Sequence, residues 1–203
     1  GIDATTAISP HTLVQSLKSA PNLDQAIIYL GQCYAGIFNY VKAGRTVNEG
    51  QATSANIVLI GATDLQESMS SSTTEQFPTT GNQIPWVANV FLLHIFKWIS
   101  SPFDVDGDNL HTVIDSYKYA GVMTNRSHKL IKASTFMKLM DDYDELKKAK
   151  HAVDNPTGCT QIDMRNQLRL SAINKQYYQS SYMSNIHQEC WVLNSIPAQS
   201  IEL

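Results

Sequence analysis

The sequence predicts an α/β protein whose doubly wound, mostly parallel sheet is flanked by helices, with the first strands of the sheet outside this chain. Two short apolar runs, residues 26–30 and 55–63, support this prediction, because unbroken aliphatic segments are typical of strands buried on both faces of a parallel sheet. Residues 187–194 are the one further candidate strand. Since sheets usually contain about four to six strands, we expect the missing ones upstream of Gly1.

Length and composition fit one domain with a sizeable core. The 203 residues are expected to form a single domain, residues 1–203, in which 1–125 hold the sheet and 126–203 complete it with helices and a C-terminal segment. The net charge of −3 shows no basic excess, so we expect no nucleic-acid partner. No apolar run is long enough to cross a bilayer. Three cysteines without paired spacing argue against a disulfide framework and a structural zinc site.

Local signals predict the elements in order along the chain. Ser9 and Pro10 predict a helix start, with serine as the N-cap and proline in the first turn. Residues 69–83, rich in serine, threonine, glycine and proline, predict a mobile surface loop, and Pro85 is expected to open a buried helix. The remaining predicted segments are a helix over 110–120, a long charged helix over 129–151 with a break near Asp141 and Asp142, a weak helix over 162–178 and a tyrosine-rich loop over 178–184.

Cys33 follows the first predicted strand, and this position favours a chemical role. In open α/β sheets, ligands and reacting groups gather outside the carboxyl ends of the strands. An amphipathic segment beginning near Gly36 would place a helix N-terminus beside the sulfur, where the helix dipole favours a thiolate. The alternative from position alone is that Cys33 is a small buried hydrophobic residue, as most free cysteines are.

The residues around Cys33 resemble a peptidase motif. The segment Gln32-Cys33-Tyr34-Ala35-Gly36 is similar to the Cys-x-Ser/Ala-Gly turn of the caspase-like cysteine peptidases, the group of caspases, legumains, gingipains and clostripains. It differs from the strict caspase pattern, since the glutamine directly precedes the cysteine. The resemblance implies a caspase-like fold with Cys33 as the nucleophile. It also implies that Glu67 and Ser68, which match a Glu-Ser step after the next strand, line the pocket for the residue before the cleaved bond.

The resemblance also requires a histidine as the catalytic base. In caspases this histidine lies about 50 residues before the cysteine. The one histidine before Cys33 is His11, which enters a helix and has no glycine after it. We therefore expect the base upstream of Gly1, either on an N-terminal fragment of the same precursor, separated by self-cleavage, or in a region left outside this chain. On this interpretation His11 is dispensable, and this chain alone is not a complete catalytic unit.

Residues 104–115 form a second candidate site. The carboxylates of Asp104, Asp106, Asp108 and Asp115 occupy positions 1, 3, 5 and 12 of an EF-hand loop, whose hard oxygen ligands bind calcium. Asn109 stands where glycine is usual, and Asp115 is one methylene shorter than the usual glutamate. A structural calcium ion is therefore one prediction, and the alternative is a solvated acidic loop that caps the following helix.

The function that the sequence predicts is a cysteine endopeptidase. It would cut protein or peptide substrates through a thioester on Cys33, require no cofactor, and be activated by proteolytic self-processing. One alternative is a non-catalytic caspase-like scaffold or binding module that has lost the histidine. Another is an ordinary α/β enzyme or ligand-binding domain in which Cys33 only packs, although the sequence shows no Gly-rich phosphate-binding turn.

Overall fold

The computed structural model describes residues 8–45, 54–76, 83–185 and 189–203. Within these ranges the protein is a mixed α/β structure with two small sheets. The strands are β1 (Gln25–Leu30), β2 (Asn56–Gly61), β3 (Ser70–Gln76), β4 (Gln83–Asn89) and β5 (Trp191–Leu193). The helices are α1 (Pro10–Lys18), α2 (Val90–Ser100), α3 (Val113–Asp154), α4 (Thr160–Asn185) and the short α5 (Ser195–Ala198), with a 3-10 helix at Ala35–Tyr40.

The larger sheet has the strand order β1-β2-β5 among the described residues. β1 and β2 pair in parallel, with Gln25 opposite Asn56 and Leu30 opposite Gly61, so both strands end at the same level. β5 pairs with β2 in the antiparallel direction. The expected parallel strands are confirmed, and the described sheet as a whole is mixed because the late strand runs antiparallel.

The core lies on both faces of β2, because alternate side chains of a strand point to opposite sides. On one face, Ile57 and Leu59 pack with Val14 of α1 and with Phe38 of the 3-10 helix. On the other face, the core cluster joins Val58 and Ile60 to apolar residues of α2, α3 and α5. β2 is therefore buried from Ile57 onward, as the sequence predicts.

β1 is only partly buried, which corrects the expectation of a strand covered on both faces. The reason is its position: β1 is the outer strand of the described sheet, so one of its edges has no partner strand within the described ranges. An edge strand presents unpaired N–H and C=O groups along that side.

The predicted surface loop over residues 69–83 is wrong for its described part. β3 and β4 form an antiparallel ladder from the pair Ser70–Asn89 to the pair Gln76–Gln83, and residues 77–82 lie outside the described residues. Pro85 does not open a helix, because it lies within β4 opposite Thr74. The helix begins at Val90 instead, after its N-cap Asn89.

Two further predictions fail in the long helices. α3 is continuous from Val113 to Asp154 and has no break at Asp141 and Asp142. α4 continues to Asn185, so the tyrosine-rich segment 178–184 is helical rather than a loop. The predicted start at Ser9 and Pro10 is confirmed, since the Ser9 hydroxyl accepts a hydrogen bond from the N–H of Thr12 at 3.1 Å. Among the described helices, none combines the length and the apolar character that crossing a bilayer requires.

The chain divides into two compact units. The first comprises the described residues within Gly1–Arg126 and Gln188–Leu203, and it holds both sheets. The second comprises those within Ser127–His187 and is an antiparallel pair formed by the later part of α3 and α4.

Asp142 links the two helices of the second unit through a buried polar cluster. Its carboxylate accepts hydrogen bonds from Lys138 Nζ at 2.6 Å, Gln176 Nε2 at 2.5 Å and Ser180 Oγ at 2.9 Å. These hydrogen bonds, that of Lys138 foremost, outweigh burial and hold the pKa of Asp142 below its ordinary value. The stability that this carboxylate contributes is therefore present above the unfolded pKa of about 4 and is lost as pH falls through the lower folded value.

Asp142→Ala should destabilise the second unit by about 2 kcal/mol, because it leaves buried donors on both helices without their acceptor. Thermal unfolding followed by circular dichroism at 222 nm at pH 7 measures this effect. Asp141→Ala is the matched control, since Asp141 is the exposed neighbour and makes no hydrogen bond to a described residue. Equal melting temperatures for the two variants would contradict the assignment.

Candidate active site

Cys33 lies in a tight turn at the carboxyl end of β1. The turn passes through Tyr34, whose φ of 57° lies in the left-handed region, and then enters the 3-10 helix at Ala35. The Cys33 side chain is exposed. The structure therefore confirms the predicted location of the thiol, at the carboxyl end of a parallel strand and beside a helix start.

A second turn, residues 63–68, follows β2 and lies against the Cys33 turn. The N–H of Tyr34 donates to the carbonyl of Gln66 at 2.7 Å, and the N–H of Gly36 donates to the carbonyl of Asp64 at 3.0 Å. Gly36 is required for this approach, because a Cβ there would overlap the carboxylate and backbone of Asp64. The equal ends of β1 and β2 thus bring both turns together.

Ser68 is the residue that contacts the Cys33 sulfur. Its backbone N–H donates to Sγ at 3.4 Å, and its hydroxyl oxygen lies 3.7 Å from Sγ. The same hydroxyl donates to the carbonyl of Gly31 at 2.8 Å, so it is held on the Cys33 turn. Of the two predicted pocket residues, the structure therefore brings Ser68 to the nucleophile.

Asn89 completes this arrangement and was not foreseen from the sequence. Its amide nitrogen donates to the Gly31 carbonyl at 2.6 Å and to the Ser68 hydroxyl at 3.1 Å. Its amide oxygen accepts from the N–H of Leu92 at 3.0 Å and so caps α2. One side chain thereby joins the Cys33 turn, the 63–68 turn and the start of a helix. The available signal was an asparagine before an apolar helical run, which is a preferred N-cap.

The structure does not bring the other predicted groups to Cys33. Glu67 is exposed and makes no hydrogen bond or ion pair with a described residue. His11 lies on the exposed side of α1. No histidine within residues 8–45, 54–76, 83–185 and 189–203 forms a hydrogen bond with Cys33, whose sulfur contacts only Ser68 among them. His187 lies outside the described residues.

The buried histidine of α2 has a different environment. His94 packs edge-to-face against Tyr119, with ring centroids 6.2 Å apart. Burial, together with the nearby charge of Lys97, lowers the pKa of His94 below its ordinary value. This histidine belongs to the core between α2 and α3.

The acidic loop brings together three of its four predicted ligands. Carboxylate oxygens of Asp104, Asp106 and Asp108 lie within 4.8 Å of one another. Asp104 accepts backbone N–H groups from Asp106, Gly107 and Asn109, and Asp106 forms an ion pair with Lys118.

Asp115, the fourth predicted ligand, serves the start of α3. Its buried carboxylate accepts the N–H and hydroxyl of Thr112 at 2.9 and 2.8 Å and the N–H of Val105 at 2.9 Å. Burial raises its pKa, but these hydrogen bonds outweigh burial and bring the pKa below its ordinary value. This capping role is the alternative that the sequence left open, and calcium binding by the loop stays a prediction.

Comparison of the chain with protein-family models, with curated proteins and with solved structures finds no match. The class of the protein is therefore argued from the geometry above.

Cys33 should be alkylated faster than the other two thiols. Cys190 is half-buried, and burial raises the pKa of its thiol, so little thiolate forms there at neutral pH. Cys159 is exposed but follows the turn at Gly158 and has no N–H donor on its sulfur among the described residues, unlike Cys33. Mass-spectrometric mapping after brief iodoacetamide treatment measures the order. Faster labelling of Cys159 or Cys190 in the folded protein would refute it, and equal labelling in denaturant is the control.

Millimolar calcium should raise the melting temperature relative to excess EDTA, because a ligand that binds only the folded state stabilises it by about 2.7 kcal/mol at a hundred times its dissociation constant. Differential scanning calorimetry measures the shift, and Asp108→Asn should abolish it. Identical melting temperatures in calcium and EDTA would rule out the calcium site.

Proposed function

We propose that the protein is a cysteine endopeptidase in which Cys33 is the nucleophile. The observation on which the proposal rests is the position of the Cys33 sulfur: it is exposed at the carboxyl end of a parallel strand and fixed by the Ser68 N–H at 3.4 Å. The resemblance of residues 32–36 and of Glu67 and Ser68 to the caspase-like peptidases supports the same conclusion.

The chemistry follows the usual course for a thiol nucleophile. The thiolate attacks the carbonyl carbon of the scissile peptide bond and forms a tetrahedral oxyanion. Its collapse breaks the C–N bond, the departing amine takes a proton, and a thioester remains on Cys33. Water then attacks the thioester carbonyl, which releases the carboxylate and restores the thiol.

The backbone N–H of Cys33 is a suitable donor for the oxyanion. It makes no hydrogen bond to another group in the described part of the chain, whereas the N–H groups of Tyr34 and Gly36 hold the neighbouring turn. A preorganised N–H that is free to bind the developing charge stabilises the tetrahedral intermediate.

The base in this proposal is a histidine on a strand that pairs with the open edge of β1. Within the described residues this edge has no partner strand, and no histidine there contacts the sulfur. A strand added at this edge would end close to Cys33, because strands paired in parallel end at the same edge of a sheet. We assign it to an N-terminal fragment of the same precursor, separated by self-processing.

Cys33→Ala should lower the rate of proteolysis at least about 1,000-fold in the native protein, including any polypeptide that copurifies with it, because only the nucleophile is removed. Cleavage of denatured casein, followed by mass spectrometry, measures the rate. Cys159→Ala and His11→Ala are the controls and should keep full activity.

Acid quenching during turnover should trap an acylated peptide that contains Cys33. If Cys33→Ala cleaves at the wild-type rate, the proposal is wrong. If the wild-type protein together with its copurifying chain binds casein without cutting it, the non-catalytic scaffold replaces it.

A further inference from the structure

The outer face of α3 in the second unit carries an exposed apolar stripe. The members of the stripe recur every three or four residues over two heptads and are Leu130, Ala133, Phe136, Met137, Met140 and Tyr143. The large side chains among them are between 47% and 66% exposed. Single exposed apolar residues are normal on a surface, but a contiguous stripe of this kind marks an interaction site.

The stripe points away from α4. Asp142 and Glu145 contact α4 through Gln176, Ser180 and Arg169. Met140 precedes Asp142 by two residues, which is about 200° around a helix at about 100° per residue. The apolar stripe is therefore additional to the seam that already joins the two helices of this unit.

The stripe matches itself in reverse order. Reversing α3 about the point midway between Phe136 and Met137 places each large member at the level of a complementary one. The matched pairs are Leu130 with Tyr143, Ala133 with Met140, Phe136 with Met137, and Lys129 with Asp144. Small meets large at one level, and opposite charges meet at each end.

The charges at the two ends favour this orientation. Lys129 is exposed and makes no ion pair with a described residue. Asp144 is exposed, and its contact with Lys147 is 3.8 Å long, which contributes little in solvent. A parallel arrangement would place Lys129 against Lys129 and Asp144 against Asp144, and like charges across an interface are unfavourable.

We propose that a second copy of this chain docks on the α3 stripe in an antiparallel, two-fold symmetric pairing. Such an interface uses the same patch on both subunits, which the reversed match of side chains provides. Knobs-into-holes packing requires a repeat of 3.5 residues, and the stripe has it. Because only about four turns of each helix take part, the buried area is at the low end for protein interfaces, and we expect a micromolar dissociation constant.

Charge reversal tests both the surface and the orientation. Analytical ultracentrifugation of the native protein between about 1 and 100 μM measures the dissociation constant. Lys129→Glu and Asp144→Lys should each weaken the dimer at least tenfold, because each places like charges opposite one another at both ends. The double variant Lys129→Glu with Asp144→Lys should restore the wild-type constant.

Two further variants complete the design. Phe136→Ser should abolish the dimer, since it removes the aromatic ring at the centre of the stripe. Lys175→Glu is the matched control, because it makes the same charge change at an exposed position on α4 and should leave the constant unchanged. Circular dichroism confirms that each variant is folded.

Three results would overturn the proposal. The first is a wild-type protein that stays monomeric at 100 μM, including one that binds only other proteins or lipid vesicles through this stripe. The second is a dimer that Phe136→Ser leaves intact, which would mean another interface. The third is a double variant as weak as the single ones, which would exclude the antiparallel orientation.

Discussion

The candidate site depends on the register between β1 and β2. Because Leu30 pairs with Gly61, both strands end at the same level, and the chain leaves each of them into a tight turn at the same edge of the sheet. The contacts of Ser68 with the Cys33 sulfur and of Gly36 with Asp64 follow from this alignment. A shift of one residue would turn every side chain of β1 to the opposite face and separate the two turns. The buried aliphatic residues of β2 fix the register, since α1 covers one face of the strand and α2 the other.

Asn89 extends this arrangement from the sheet to a helix. Its amide is fully used, with both N–H groups on the two turns and its oxygen on the first turn of α2. The geometry around Cys33 is therefore maintained by residues that are themselves held by backbone hydrogen bonds. Reactive groups need such support, because a displacement of about 1 Å can cost two orders of magnitude in rate.

The sequence predicted the parts of the fold that short patterns encode. Two aliphatic runs revealed β1 and β2, and a serine-proline pair revealed α1. It failed where partners distant in the chain decide the structure. The polar strand β3 looked like a loop, because its ladder with β4 is a tertiary contact rather than a local preference. Asp142 looked like a helix break, yet its charge is satisfied from α4. Asn89 was missed because the helix start was placed at a proline that lies in a strand.

The position of β5 has a consequence for the order of folding. This strand pairs with β2, from which more than 130 residues separate it, and the indole of Trp191 donates to the carbonyl of Thr63 at 2.8 Å. On the ribosome, α3 and α4 are synthesised before β5 emerges, so one edge of β2 waits without its partner while the helices form. Contacts of such high sequence separation form slowly, and an open strand edge is prone to aggregation during that interval. The side of the sheet that Trp191 closes is therefore the part of this protein that most needs protection by chaperones during its synthesis.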